Sequence, residues 1–277
     1  MLGTFGRTWQ LTKISWGVLR QDRKLLLFPI ISVLALAALA GAMLGVAGGL
    51  GTVTRLESSA GVTAADIALL AITYFALAFI VIYFNAALIG AAMVRLAGGE
   101  VSLGDGFRLA NQRLPQILGW ALISATVGLI LQALRNQARD SFLGQLAVSM
   151  VGGVWAYMAF FVVPVLVAEG VGPVGAIRRS GSLFKRTWGE QVTANFGFGL
   201  VGLGLVLVAA VPAALVGAVN APAGVAVGVV TVGLALATVS CLEAIFKAAL
   251  YGYVADAKVA EGFSREDLEG AYGRGAR

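Results

Sequence analysis

The chain has 277 residues, of which 59% are hydrophobic and 12% are charged. Soluble domains have roughly 45–50% apolar and about 25% charged residues, so the composition excludes both an ordinary soluble domain and a disordered chain. The net charge of +6 is compatible with nucleic-acid binding, but the positions of the charges indicate membrane topology instead.

The chain contains no histidine and a single cysteine, Cys241, which restricts its chemistry. Zinc sites usually combine several His and Cys ligands, and Ser-His or Cys-His nucleophiles need a histidine base. One cysteine also forms no disulfide within the chain. We therefore expect no metal, no cofactor and no enzymatic activity.

The N-terminal segment has the composition of an interfacial helix. Trp9 and Trp16 are seven residues apart and share one side of a helix, while Arg7 and Lys13 lie elsewhere around it. Tryptophan at headgroup level beside cationic side chains is typical of a helix that lies in the membrane plane. We predict such a helix before the first apolar stretch.

Six apolar stretches are long enough to cross a hydrocarbon core of ~30 Å, which takes about 20 helical residues. They cover residues 25–50, 67–94, 117–134, 146–168, 192–219 and 223–254. The sequence therefore predicts an all-α polytopic membrane domain over residues 1–255 with six transmembrane helices. A polar cytoplasmic tail follows over residues 256–277.

Glycines and prolines mark three of these spans. Gly41, Gly45 and Gly49 recur every four residues, which predicts close packing of this face of the first span on another helix of the chain, with dimerisation through the same face as the alternative. Pro164 lies near the cytoplasmic end of the fourth span, where a missing hydrogen bond is tolerated, and Pro212 lies deeper in the fifth.

Lysine and arginine are distributed unequally between the two sides of the predicted membrane. Sixteen of the 20 lie in the N-terminal segment, the loops after spans two and four, and the tail. Three lie in the other loops, and Lys247 lies within a span. The positive-inside rule then places both termini in the cytoplasm, and we expect a plasma (inner) membrane location.

The expected partners are the lipid bilayer, anionic headgroups at the cytoplasmic face, and no nucleic acid. A further membrane protein as partner and the oligomeric state stay open. Six basic residues beside the interfacial segments are candidate contacts for anionic headgroups: Arg7, Lys13, Arg178, Arg179, Lys185 and Arg186.

Internal matches indicate a repeat. Residues 7–17 and 179–189 align Arg, Leu, Lys, Trp and Gly, and residues 84–90 and 246–252 align Phe, Ala-Ala-Leu and Gly. We predict a threefold repeat in which a cytoplasmic interfacial amphipathic helix precedes a membrane hairpin.

Glu243 and Lys247 are ionisable residues inside a predicted span, one helical turn apart. Charges in hydrocarbon are costly, so they indicate a functional site by default. Asn85 has the matching position in the second span. We expect the three residues to form a polar cluster near the inner leaflet, acting either as a structural clasp or as a solvated substrate site.

Two stretches together resemble an uncharacterised family of bacterial and archaeal multi-pass membrane proteins. One is SWGVLRQD at 15–22 followed by LLLFP at 25–29. The other comprises EGVGP at 169–173, AIRRS at 176–180 and SLFKRTWGE at 182–190. The resemblance implies six spans, similarity up to about residue 260, and no established activity. A weaker likeness is to the membrane portion of glycerophosphodiester phosphodiesterases, whose catalytic barrel this chain lacks.

Because polar residues within the spans are few, the sequence favours a non-catalytic membrane scaffold or accessory protein. The alternative is a transporter, channel or lipid-handling protein that uses the cluster of Asn85, Glu243 and Lys247. A pocket that reaches Glu243 would distinguish the two.

Overall fold

The computed structural model describes residues 2–58, 61–188, 197–266 and 268, and within these the chain is helical without strands. Its helices, in chain order, are α1 Leu2–Gln21, α2 Leu27–Gly49, α3 Thr52–Glu57, α4 Ala64–Leu96, α5 Leu103–Gln112, α6 Leu114–Gln137, α7 Phe142–Ala159, α8 Val162–Glu169, α9 Pro173–Trp188, α10 Gly197–Gly217 and α11 Ala221–Asp256. A short 3-10 helix, Arg23–Leu26, joins α1 to α2.

Five segments of the described chain are long and apolar enough to cross a membrane. They are Arg23–Gly49, Ala64–Leu96, Leu114–Gln137, Phe142–Glu169 and Ala221–Asp256. The predicted span 192–219 begins outside the described residues, and its described part holds the shorter apolar helix Gly202–Gly217. The all-α class is therefore confirmed, and the number of six spans stays a prediction.

The two longest helices, α4 and α11, form the centre of the bundle. Their 33 and 36 residues extend about 50 and 54 Å at 1.5 Å per residue, well beyond a ~30 Å hydrocarbon core. They pack against each other, and α2, α5, α6 and α8 pack on α4, while α1 and α10 pack on α11. Both helices are therefore long enough to cross the hydrocarbon core and extend beyond it.

The buried core lies toward the end of the bundle that carries α1, α5 and α9. It contains residues 86–92 of α4 and 244–251 of α11, apart from Lys247, together with Phe28, Phe161 and Phe184. Toward the opposite end, large apolar side chains such as Leu44 and Ile67 are exposed. Apolar helices that remain exposed over this length are suited to lipid surroundings.

Each predicted interfacial segment forms a helix that precedes apolar helices, and α5 and α9 are strongly amphipathic. α9 shows the pattern clearly: Ala176, Leu183 and Phe184 are buried, whereas Arg178 and Lys185 are exposed. This spacing places the apolar residues on one face of a 3.6-residue helix. The order of elements fits the predicted threefold repeat, which itself stays a prediction.

The fourth span contains a break that the sequence analysis did not predict. α7 ends at Ala159 and α8 begins at Val162. Pro164 explains the break, because its ring lacks an N–H and collides with the carbonyl four residues earlier, that of Phe160. The Phe161 N–H at the break donates a hydrogen bond of 2.9 Å to Ser180 Oγ of α9.

The predicted packing of the glycine face of α2 on another helix of the same chain is wrong for the described residues, and dimerisation through this face stays a prediction. A Cβ at Gly41, Gly45 or Gly49 would meet no atom within 4 Å, so this face touches no other helix of the described chain. Close glycine packing occurs instead between α10 and α11, where a Cβ on Gly224 would collide with the backbone of Gly217. The four-residue spacing predicts a smooth face, but it does not say which helix covers it.

Candidate functional site

A groove of about 790 Å³ lies between α2, α4 and α11. It is lined by Pro29, Ser32, Val33 and Leu36 of α2, by Val81, Phe84, Asn85 and Leu88 of α4, and by ten residues of α11 between Gly228 and Lys247. The α11 wall alone covers 19 residue steps, or about 28 Å of helix. The α2 and α4 walls cover seven steps each, from Pro29 to Leu36 and from Val81 to Leu88, so all three helices enclose the groove over about 10 Å and α11 alone lines the rest.

The predicted polar residues Asn85, Glu243 and Lys247 all line this groove. Lys247 Nζ lies 2.6 Å from Glu243 Oε1, as their spacing of one turn predicts. The same ammonium lies 5.3 Å from the centroid of the Phe160 ring, within cation–π distance. The Glu243 side chain is 46% exposed and that of Lys247 is 21% exposed, so the carboxylate is the more accessible partner.

These polar residues lie at one level of the bundle. About 20 residues span the hydrocarbon, so a span that starts near residue 223 reaches its far boundary near Glu243. The same count from residue 67 of α4 ends close to Asn85, and Pro29 lies in the first turn of α2, which runs the other way. This count predicts that the polar end of the groove lies near the membrane boundary on the side of α1, α5 and α9.

The rest of the groove is apolar and open at its side. Val33 and Leu36 of α2 line it nearer the polar end, and Val229, Val232 and Leu236 of α11 line it further along. Val229 is 70% exposed and Val33 is 58% exposed, so much of this apolar lining is uncovered. The groove therefore presents exposed apolar side chains away from its polar end.

The candidate headgroup contacts differ in their surroundings. Arg178 and Lys185 are exposed on α9. Lys13 is exposed on α1, and its Nζ lies 5.7 Å from the centroid of the Trp9 ring. The side chains of Arg7 and Arg186 lie outside the described part of the chain.

Arg179 belongs to a hydrogen-bond network that the sequence analysis did not find. Its Nε donates to Glu169 Oε1 at 2.9 Å, and the Tyr251 hydroxyl donates to the same oxygen at 3.0 Å. The hydrogen bond to Glu169 raises the pKa of Arg179 above its ordinary value, so the guanidinium stays cationic. The network joins α8, α9 and α11, and it engages Arg179 within the protein.

A second polar cluster closes the opposite end of the α2–α4 hairpin. Asp66 is 1% exposed, and its carboxylate accepts hydrogen bonds from Arg55, from the Thr52 hydroxyl at 2.6 Å and from the Thr63 hydroxyl at 2.6 Å. The bond to Asp66 raises the pKa of Arg55. Thr63 and Asp66 form a capping box, whose T-x-x-D spacing is visible in the sequence.

This combination of apolar helices, amphipathic helices and a lateral groove defines an all-α membrane protein. A profile of the family of unknown function DUF6159 matches residues 64–262, from α4 to just beyond α11, and the chain belongs to that family. None of the curated proteins matches the chain. The resemblance to an uncharacterised family is confirmed at this level, and the likeness to glycerophosphodiester phosphodiesterases and the bacterial or archaeal source gain no support.

Proposed function

We propose that the protein is a lipid-handling membrane protein that holds one amphiphilic molecule in the groove between α2, α4 and α11. The observation that carries this proposal is the polarity of the groove. Ser32, Asn85, Ser240, Glu243 and Lys247 are its polar lining residues, and they lie toward one end. Valine and leucine side chains line most of the remaining length.

The apolar lining favours an amphiphile over an ion or a polar solute. A conduction path needs polar groups or water along its whole length to replace the hydration shell of the solute. Among the described residues that line the groove from Val229 to Leu236, none is polar. A lipid fits both the apolar lining and the polar end of the groove, because its acyl chain packs against the valine and leucine side chains and its headgroup can contact Glu243 and Lys247.

Selectivity in this groove has to come from the polar end. Lipid tails are as apolar as leucine, so moving a chain from the bilayer into the groove gives little free energy. Glu243 and Lys247 present a carboxylate and an ammonium near the headgroup level, where hydrogen bonds to a lipid are made in a poorly hydrated setting. We therefore assign headgroup recognition to this pair, with Asn85 on the facing wall.

The wider arrangement that we propose follows the sequence. Six spans form three repeats of an interfacial helix and a hairpin, both termini are cytoplasmic, the location is the plasma membrane, and catalysis is not part of the function. The excess of lysine and arginine on the side of α1, α5 and α9 supports this orientation.

A scaffold or accessory role is the second candidate, and the exposed basic face of α9 favours it. Arg178 and Lys185 extend away from the core and are available to a partner. This role predicts that Glu243→Gln is tolerated and that charge removal at Arg178 and Lys185 abolishes function. The groove proposal predicts the opposite: Glu243→Gln impairs function, and charge removal at Arg178 and Lys185 is tolerated.

The test is retention of lipid by a variant in which the groove is blocked. Gly233 lines the groove, and a Cβ there meets no atom within 4 Å, so Gly233→Leu fills the space without a backbone clash. Gly204 of α10 also has open space around it but does not line the groove, so Gly204→Leu is the matched control. Both changes raise helix propensity.

Native mass spectrometry of the purified protein in mild detergent measures the bound lipid. We expect wild type and Gly204→Leu to retain one lipid and Gly233→Leu to lose occupancy roughly tenfold, the equivalent of ~1.4 kcal/mol. Equal retention by all three proteins would contradict the proposal.

A further inference from the structure

We propose that Trp16, Arg20 and Arg23 form a binding site for the headgroup of an anionic phospholipid at the junction of α1 and α2. A second cavity, of about 560 Å³, lies at this junction and is lined by Trp16, Leu19, Arg20, Arg23 and Leu26. The site is separate from the groove between α2, α4 and α11. It also differs from the six basic residues that the sequence marks as headgroup contacts.

The backbone at the junction holds the two arginines beside one cavity. α1 ends at Gln21 and the 3-10 helix begins at Arg23, and Asp22 caps the turn by accepting the Lys24 N–H at 3.3 Å. Leu19 is 2% exposed and Leu25 is fully buried, so both sides of the turn are anchored in the core. The site is therefore already formed before a ligand binds.

The charges at the junction favour an anionic ligand. Arg20 and Arg23 are exposed, and neither forms an ion pair within the part of the chain that the structure describes. Lys24 is directed elsewhere, since its Nζ donates to the Val101 carbonyl at 3.2 Å. Asp22, the acidic residue between the arginines, is the cap of the turn.

Two guanidinium groups without carboxylate partners match a phosphate. Each can donate two parallel hydrogen bonds to phosphate oxygens, a geometry that lysine does not reproduce. A headgroup with net negative charge gains from both arginines, whereas a choline headgroup places a cation beside them. The site should therefore select anionic over zwitterionic phospholipids.

The surroundings identify the ligand as a lipid of the bilayer rather than a free phosphate. Trp16 is 45% exposed at the cavity, as expected of tryptophan at headgroup depth. Leu27 follows the cavity residue Leu26 in the chain and is 39% exposed, and Leu34, seven residues further along the same face of α2, is 65% exposed. An acyl chain attached to a phosphate at the arginines has a continuous apolar surface along α2.

The test uses the full chain in vesicles of phosphatidylcholine that contain a minor fraction of brominated phosphatidylglycerol. Bromine quenches nearby tryptophan, and the difference between wild type and Trp16→Phe isolates the quenching at Trp16. We expect brominated phosphatidylglycerol to quench Trp16 well above its share of the lipid, and brominated phosphatidylcholine to quench it only in proportion.

The matched variants have equal charge. Arg20→Gln with Arg23→Gln should lower the preference for phosphatidylglycerol at Trp16 by about tenfold or more. Arg108→Gln with Lys258→Gln removes the same net charge from exposed positions on α5 and after α11, and should change the preference less than about threefold. Replacing both arginines by lysine keeps the charge and should still lose part of the preference.

Three results would overturn the proposal: equal losses in the two glutamine double variants, full preference in the lysine variant, or equal quenching by the two brominated lipids. Each would reduce the site to diffuse surface charge. Continued protection of the buried Cys241 from thiol reagents verifies that each variant is folded.

Discussion

Ser180→Ala should destabilise the protein, because Ser180 provides the hydrogen-bond acceptor at the break in the fourth span. Pro164 interrupts the helix, and the Phe161 N–H donates to Ser180 Oγ at 2.9 Å. Both residues are fully buried, so no water is positioned to replace the hydroxyl. Alanine leaves this N–H without a partner.

The expected loss follows from the cost of an unsatisfied buried donor. This cost is about 1–3 kcal/mol, which corresponds to a roughly 5- to 150-fold increase in the population of opened molecules. The hydroxyl is small, so the cavity left by the change adds little. Ser182→Ala is the matched control, since Ser182 is exposed on the same helix and should cost less than about 0.5 kcal/mol.

The chain provides its own reporter for the assay. Cys241 is the single cysteine of the sequence and is fully buried, so a thiol-reactive fluorophore labels it only when the bundle opens. When opening and closing are fast relative to labelling, the labelling rate tracks the open population. Equal labelling rates for Ser180→Ala and Ser182→Ala would refute this explanation of the break.

Three further changes test the packing and the polar clusters, each by thermal unfolding in detergent. Gly106→Ala should destabilise the folded protein by about 1–3 kcal/mol, because the new Cβ would lie 2.7 Å from a carbonyl oxygen of α4. Gly104→Ala, on the exposed side of the same helix, should instead stabilise it by ~0.5–1 kcal/mol. Asp66→Asn should lower Tm, since the buried amide cannot replace the charged acceptor, and an unchanged Tm would exclude a stabilising role. The hydrogen bond from the Ser102 hydroxyl lowers the pKa of Asp105, so the ionised carboxylate stabilises the folded protein. This stabilisation is present above the ordinary carboxyl pKa of about 3.9 and is lost as pH falls through the lowered value. Asp105→Asn should therefore flatten the acid side of a plot of Tm against pH, and an unchanged plot would contradict this.

Much of the helical framework could be predicted from the sequence. Apolar length predicted the five segments that are long enough to cross a membrane, and the match of residues 179–189 with residues 7–17 predicted the interfacial helix α9. The meeting of Asn85 with Glu243 and Lys247 at one groove was also predictable. Their equal distance from the ends of their spans places them at one depth, and α4 and α11 are neighbours.

The groove itself could not be predicted, because it depends on how α2, α4 and α11 are spaced. The hydrophobicity of one helix does not determine its distance from the neighbouring helix. The glycine face of α2 is a second example, because its spacing predicted packing on another helix and the structure leaves Gly45 open. The contacts of Ser180 with Phe161 and of Tyr251 with Glu169 join residues 19 and 82 positions apart, respectively, so no local spacing reveals them. The Thr63–Asp66 capping box, by contrast, was readable from its three-residue spacing.

The most direct measurement of the central claim is capture of the groove's ligand in the native membrane. A photoreactive amino acid at Leu236, 52% exposed in the groove, is compared with one at Leu207, 60% exposed on α10 outside it. If the groove holds a selected amphiphile, Leu236 captures one lipid class far above its membrane abundance, and Glu243→Gln changes that class. Capture of the same bulk mixture of lipids at Leu236 and Leu207 would contradict the account.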